Sequence, residues 1–187
     1  MLTEKKLIKD CQNGNKQAQY LLVKRYSGML MSVCRRYARD EAMAKDVLQE
    51  TLIRIFQNIA KYEHTGSFEA WMRRIAVRRS LQWLEKSSFQ HELQPIEMPD
   101  HDFYEPEIYS QLGAEEIMAL LQELPEGFRT VFNLNIVEGY SHQEIAALLD
   151  ITESTSRSQL VRARKLLQEK IIQLKKTSRY EVAIVRK

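Results

Sequence analysis

A chain of 187 residues has room for one ordinary domain or two small ones, each burying a modest core. Hydrophobic residues at 44% and charged residues at 28% are those of a soluble globular protein, and six glycines and four prolines are too few for a loop-rich all-β chain. The net charge is only +3, no charged-then-apolar leader opens the chain, and no apolar run approaches the roughly 18 residues that span a bilayer, so a cytoplasmic location is expected.

Along the chain the charge is uneven. Positions 87–128 hold no Lys or Arg and are acidic from Glu92 through Glu126, while Arg73, Arg74, Arg78 and Arg79 lie upstream and Arg157, Arg162, Arg164 and Lys165 downstream. Two separate basic surfaces of the kind that polyanion binders show are implied, joined by a segment that avoids phosphates.

From Thr3 to about position 86 the pattern reads as helix after helix, broken at Asn13-Gly14-Asn15 and at His64-Thr65-Gly66-Ser67. In 45–59, "KDVLQETLIRIFQNI", Leu48, Leu52, Ile55, Phe56 and Ile59 make an apolar stripe at helical spacing and are expected in the core. Opposite them lie Asp46, Gln49, Glu50, Ile53 and Gln57, where Ile53 is stranded among polar neighbours. A single exposed isoleucine is common; the alternative is a docking face with Ile53 as its anchor. After Gly66 comes "SFEAWMRRIAVRRSLQWLEK", whose Trp71, Met72, Ile75, Ala76, Trp83 and Leu84 are expected to supply buried surface. Arg74 and Arg78 share a face beside Arg73, and Tyr62, His64 and Phe68 surround the adjoining turn. Aromatics beside cations suit the unstacked bases of single-stranded nucleic acid.

Positions 87–113 lose the helical period and collect Pro95, Pro99 and Pro106, which marks a linker. Periodicity resumes at Ile117, Leu120, Leu121 and Leu124, pauses at Pro125-Glu126-Gly127 and runs to about Leu174. Within it, Ser141 and Glu144 form a capping box that starts a short helix with Ile145, Leu148 and Leu149 on its apolar face. Asp150 stands at the turn and Thr152 can cap the next helix. On that second helix Ser156, Leu160, Ala163 and Leu167 form the inward stripe, and Ser154, Thr155, Ser158, Arg162 and Lys165 lie opposite, with Arg157 to one side. Small hydrogen-bonding groups followed by long cations are the layout of a recognition helix in the major groove, and the helix pair makes a helix-turn-helix. An ordinary helical hairpin with a solvated basic face would look similar.

The expected fold class is therefore all-α, with an N-terminal helical bundle (1–88), an acidic linker (89–113), a C-terminal helix-turn-helix domain (114–176) and a tail (177–187). Cys11 and Cys34 have no CxxC or Cys/His spacing, and His64, His91, His101 and His142 are scattered. There is no P-loop, dinucleotide fingerprint or HExxH, so no catalytic residue, metal, cofactor or small-molecule substrate is expected.

Taken together, "AKDVLQETLIRIFQNI", "FEAWMRRIAVRRSLQWL", "LPEGFRTVFNLNIVEGYSHQEIAALL" and "STSRSQLVRARKLL" resemble, in order and spacing, the extracytoplasmic-function (ECF) branch of the bacterial sigma-70 factors. The resemblance implies a transcription initiation factor without catalysis of its own. Asp46, Gln49, Glu50, Ile53 and Gln57 would dock on the clamp helices of the largest subunit of core RNA polymerase. The stretch 62–79, with Tyr62, His64, Phe68, Arg73, Arg74 and Arg78, would hold the minus-10 promoter element and capture a flipped base. Ser154, Thr155, Arg157, Ser158, Arg162 and Lys165 would read the minus-35 duplex, and an anti-sigma factor is a further partner the resemblance allows. Three departures stand out: Arg78, Gln82 and Glu85 replace the Asn, Asp and basic residue of many relatives, so a cation stands where a neutral amide reads a base. Asp150 and Ser154 also stand where Gly is usual. A one-component helix-turn-helix regulator, binding duplex as a dimer on a palindrome, is the competing reading.

Overall fold

The computed structural model describes residues 3–63, 65–85 and 113–185, and the chain divides into two compact units, Met1–Ser87 and Ser88–Lys187. Among the described residues every regular element is helical. The expected linker, apart from Gly113, and the site candidate His64 lie outside the described residues.

In the first unit α1 (Glu4–Gln12), α2 (Lys16–Tyr37), α3 (Glu41–Asn58) and α4 (Phe68–Glu85) pack around α2. Local chemistry sets the boundaries. Gly14 takes φ +76° to end the α1 turn, the Asn15 side chain accepts from the Ala18 amide at 3.0 Å, and Asp40 accepts from the Met43 amide at 2.7 Å. Along α2 the residues Leu22, Tyr26, Leu30, Val33, Cys34 and Tyr37 recur every three or four positions and are buried, which makes α2 the spine of the unit. Burial also pushes the Cys34 thiol up to about 11, so it packs as a small inert apolar group. Met72, Ala76 and Leu84 of α4 are buried, while Trp71, Ile75 and Trp83 are only half-buried.

On α3 the core line differs from the expected stripe. Ala44, Val47, Thr51 and Ile55 are buried, whereas Leu48, Leu52 and Phe56 are half-buried. Because α3 lies against both α2 and α4, the small and β-branched side chains sit at the closest approach and the larger leucines fill its margins. A single turn of 3₁₀ helix, Ile59–Lys61, follows, held by the Gln12 amide donating to the Ile59 carbonyl at 3.0 Å.

In the second unit α5 (Ala114–Gln122), α6 (Glu126–Phe132), α7 (His142–Leu149) and α8 (Glu153–Val185) surround Leu121, Leu124, Val131, Leu134, Ile145, Ala163, Leu167 and Ile171. The C-terminal end of α5 is closed by Arg129, which is buried and donates to the Gln122 carbonyl at 3.0 Å, a cation at the negative end of a helix. After α6 the backbone widens into a π turn, Asn133–Val137, and Gly139 at φ +77° redirects it into α7. The α8 backbone stays helical beyond Thr177, where the sequence suggested a tail. No helix among the described residues is long and apolar enough to cross a membrane.

Candidate nucleic-acid and partner surfaces

The helix-turn-helix is assembled by the groups that the sequence singled out. Ser141 Oγ accepts from the Glu144 amide at 3.2 Å while the Glu144 carboxylate accepts from the Ser141 amide at 2.8 Å. Asp150 adopts φ 54°, ψ 48°, a left-handed turn, and Thr152 Oγ1 accepts from the Thr155 amide at 3.0 Å. Helix α8 then buries Ser156, Leu160, Ala163 and Leu167, the expected inward stripe.

The outer face carries Ser154, Arg157 and Lys165 exposed, with Ser158 and Arg162 half-exposed. Arg157 is paired with Glu153 one turn earlier, both in solvent, so the pair is weak and phosphate can displace the carboxylate. Thr155 departs from the expected outward position: it is 4% exposed, its hydroxyl 2.8 Å from that of Thr152, and Gln159 beside it is buried as well. Helix α8 packs on both α6 and α7, so its buried arc is wider than one stripe. Thr155 therefore supports the turn instead of facing outward.

Sequence reasoning set His142 aside, yet its Nδ1 lies 2.9 Å from the buried Ser156 Oγ, joining the start of α7 to the recognition helix. Burial and the nearby Arg157 and Arg164 lower its pKa, against an opposing pull from Glu153. Only the folded crossing of α7 and α8 brings the two together, and no spacing rule connects positions 142 and 156.

On the first unit, Ile53 is 50% exposed on α3, with Asp46, Gln49 and Gln57 exposed around it. Glu50 is half-buried and 3.8 Å from Arg79 of α4. An isolated apolar group ringed by polar ones is what the face opposite the α3 core was expected to show.

The aromatic candidates are placed differently from the sequence expectation. Phe68 is 1% exposed and Tyr62 8%, and they pack edge to face at 5.0 Å, with Tyr26 of α2 against Phe68 at 5.8 Å. They are buried beside Thr65, Gly66 and Ser67 and are not open stacking platforms. The Tyr62 hydroxyl donates to the Gly66 carbonyl and so pins that loop. Trp71, expected in the core, is the half-exposed ring: it stacks on Phe68 at 5.5 Å and 17°.

Two hollows share Trp71 and Lys61. One, about 230 Å³, runs along the loop past Thr65, Gly66 and Arg74. The other, about 430 Å³, lies between α3 and α4 and carries Arg78, Arg79 and Gln82 together with Arg54 and Asn58, which the sequence did not single out. Arg74 and Arg78 are exposed and Arg73 is half-buried. A clue was available in hindsight, since Arg54, Asn58 and Lys61 recur at helical spacing, but only the α3–α4 packing shows that they face Arg78. Among the described residues no group of three or more His, Cys, Asp or Glu is placed to hold a metal ion.

One helical unit with cationic, Trp-edged hollows and a second that is a helix-turn-helix define an all-helical DNA-binding protein. The sigma-70 region 2 family model matches residues 22–89 and the sigma-70 region 4 model residues 114–167. The chain belongs to the sigma-70 family, in its ECF branch, and is a transcription initiation factor. It is similar to the ECF RNA polymerase sigma-E factor of Haemophilus influenzae, 29% identical over 182 residues, covering 91% of this chain and 96% of that one. Similarity to the RNA polymerase sigma-H factor of Pseudomonas aeruginosa is 28% over 189 residues, covering 90% and 95%. In fold it is like the sigma factor RpoE of Bartonella quintana, solved in complex with the anti-sigma factor NepR, at TM-score 0.51 and 20% identity over 82% of this chain and 96% of that one.

Proposed function

We propose that this initiation factor divides its work between the two units as its exposed side chains suggest. The α3 face of Asp46, Gln49, Ile53 and Gln57 docks on the clamp helices of core RNA polymerase, with Ile53 entering an apolar pocket and the polar groups fixing register. The Arg74 and Arg78 side of α4, with the 62–67 loop, holds the single-stranded minus-10 element. The outer face of α8 reads the minus-35 duplex: Ser154 and Ser158 let the helix approach base edges, and Arg157, Arg162 and Lys165 reach bases or phosphates further along. Thr155 acts here through the cap it makes with Thr152 and not by contact.

The observation that carries this reading is the presence of both region matches in one chain, in order, on separate helical units. A one-component regulator has no use for an Ile53 docking face. The factor acts in the cytoplasm, where polymerase and promoter are, and has no catalytic step of its own. An anti-sigma factor that covers the α3 face or α8 belongs to the same proposal.

Reconstitution tests it. The full chain, pulled down with bacterial core polymerase and offered a pool of promoter fragments, is expected to select fragments sharing spaced upstream and start-proximal elements. Binding to duplex alone with no retention on core would overturn the reading.

A further inference from the structure

The α3–α4 groove has a composition that narrows its ligand. One wall is a stripe on α4, Trp71, Ile75, Arg78 and Gln82, spaced four, three and four residues apart so that all face one way. The other wall is Arg54 of α3 and Lys61 of the 3₁₀ turn, and among the described residues no carboxylate lines the space. Some polar groups are already engaged. Arg79 Nη1 donates to Gln82 Oε1 at 2.7 Å and lies 3.8 Å from Glu50, and Asn58 Nδ2 donates to the Arg54 carbonyl at 2.8 Å. The side chains of Arg78 and Lys61, in contrast, have no hydrogen bond or ion pair among the described residues. Trp71 is fixed in plane by Phe68 behind it and stays half-exposed.

The groove is thus a donor-rich hollow with an indole at one end. A bare phosphate would leave the Trp71 and Ile75 surface uncovered, and an apolar ligand would leave the guanidinium unpaired. A nucleobase on a phosphate backbone satisfies both. Among bases, a fork of donors selects the one with two adjacent acceptors and a large ring: guanine offers O6 and N7, adenine replaces O6 with a donor, and thymine sets a methyl beside O4. Unpaired cytosine also has two adjacent acceptors but covers less of Trp71.

We propose that this groove binds one unpaired guanine of the DNA strand, with Arg78 donating to O6 and N7, Trp71 covering the ring, and Lys61 and Arg54 on the flanking phosphates. The inference rests on the reading that the first unit holds single-stranded promoter DNA, and it names the base.

The test uses the full chain, free and bound to core polymerase, and fluorescent oligothymidylate twelve-mers that carry one central G, A, C or 7-deazaguanine. The single G is expected to tighten binding about tenfold over T, the A, C and 7-deazaguanine strands to remain near T, and Arg78→Met, which removes every donor, to erase the G advantage while the salt-dependent affinity from Lys61 and Arg54 remains. Equal affinity for the four natural bases, a preference for C, a 7-deazaguanine strand that binds as tightly as G, or a G preference that survives R78M would each overturn the assignment. The 7-deazaguanine comparison needs no variant, so misfolding cannot mask the answer. Core retention is read on the same samples: loss of core binding counts against the sigma reading, whereas normal core binding without G preference counts against this inference alone.

Discussion

Ile53 is half exposed, so replacing it leaves the core of its unit intact and isolates its role as an anchor. Ile53→Glu is expected to leave thermal stability unchanged to within about 0.5 kcal/mol and to weaken core polymerase binding by about 2 kcal/mol, in the range of an interface hot spot. Fluorescence titration of labelled protein with core polymerase, beside a melting curve, checks both; unchanged affinity would remove Ile53 from the docking face. At this scale the sequence was partly legible. Ile53 could be singled out because a helical wheel needs only the spacing of one helix, and Arg78 because it lies one turn from Arg74 on the same face. Phe68 and Thr155 were misplaced for the opposite reason. Phe68 is covered by Tyr26 from α2, and Thr155 is buried on a helix that packs on both α6 and α7, and neither packing is visible from local periodicity.

Among the elements, the α7–α8 turn was the most legible, since capping and turn chemistry act over a few residues. Ser141, Glu144, Asp150 and Thr152 all do what their local rules require. The positive φ at Asp150 supplies a prediction. Asp150→Val is expected to destabilise the chain by about 2 kcal/mol, because a β-branched side chain clashes in the left-handed region, whereas Asp150→Gly stays within about 1 kcal/mol of the parent. Urea unfolding of the two variants measures the gap, and equal stabilities would mean that the turn is not left-handed.

His142 adds a pH dependence to the same element. Its folded pKa lies below the ordinary value of 6.5, so the unfolded chain takes up the proton first as pH falls. The stability contribution is complete above about 6.5 and is lost as pH drops through that value toward the folded pKa. His142→Asn should flatten the difference in urea midpoint between pH 7.5 and 5.5 relative to the parent. A steeper difference in the variant would contradict the sign. The α3 stripe was less legible than the turn: periodicity showed that α3 is amphipathic, but the line of closest approach passes through Ala44, Val47 and Thr51 because two helices cover it.

At the scale of the whole molecule, charge and period together marked an all-helical chain with an acidic middle between two basic ends, and the chain divides into two units, Met1–Ser87 and Ser88–Lys187. The site that composition could not reveal is the α3–α4 groove, because its two walls are separated in sequence and meet only through packing. Region 2 and region 4 matches on separate units suit a factor that holds polymerase with one unit and duplex with the other. The most direct measurement is the mass of the species formed by the full chain, core polymerase and a promoter fragment in solution. The account predicts one chain per core polymerase, with stable promoter capture only when core is present. A dimer of the chain seated on duplex, with core polymerase left free, would contradict it.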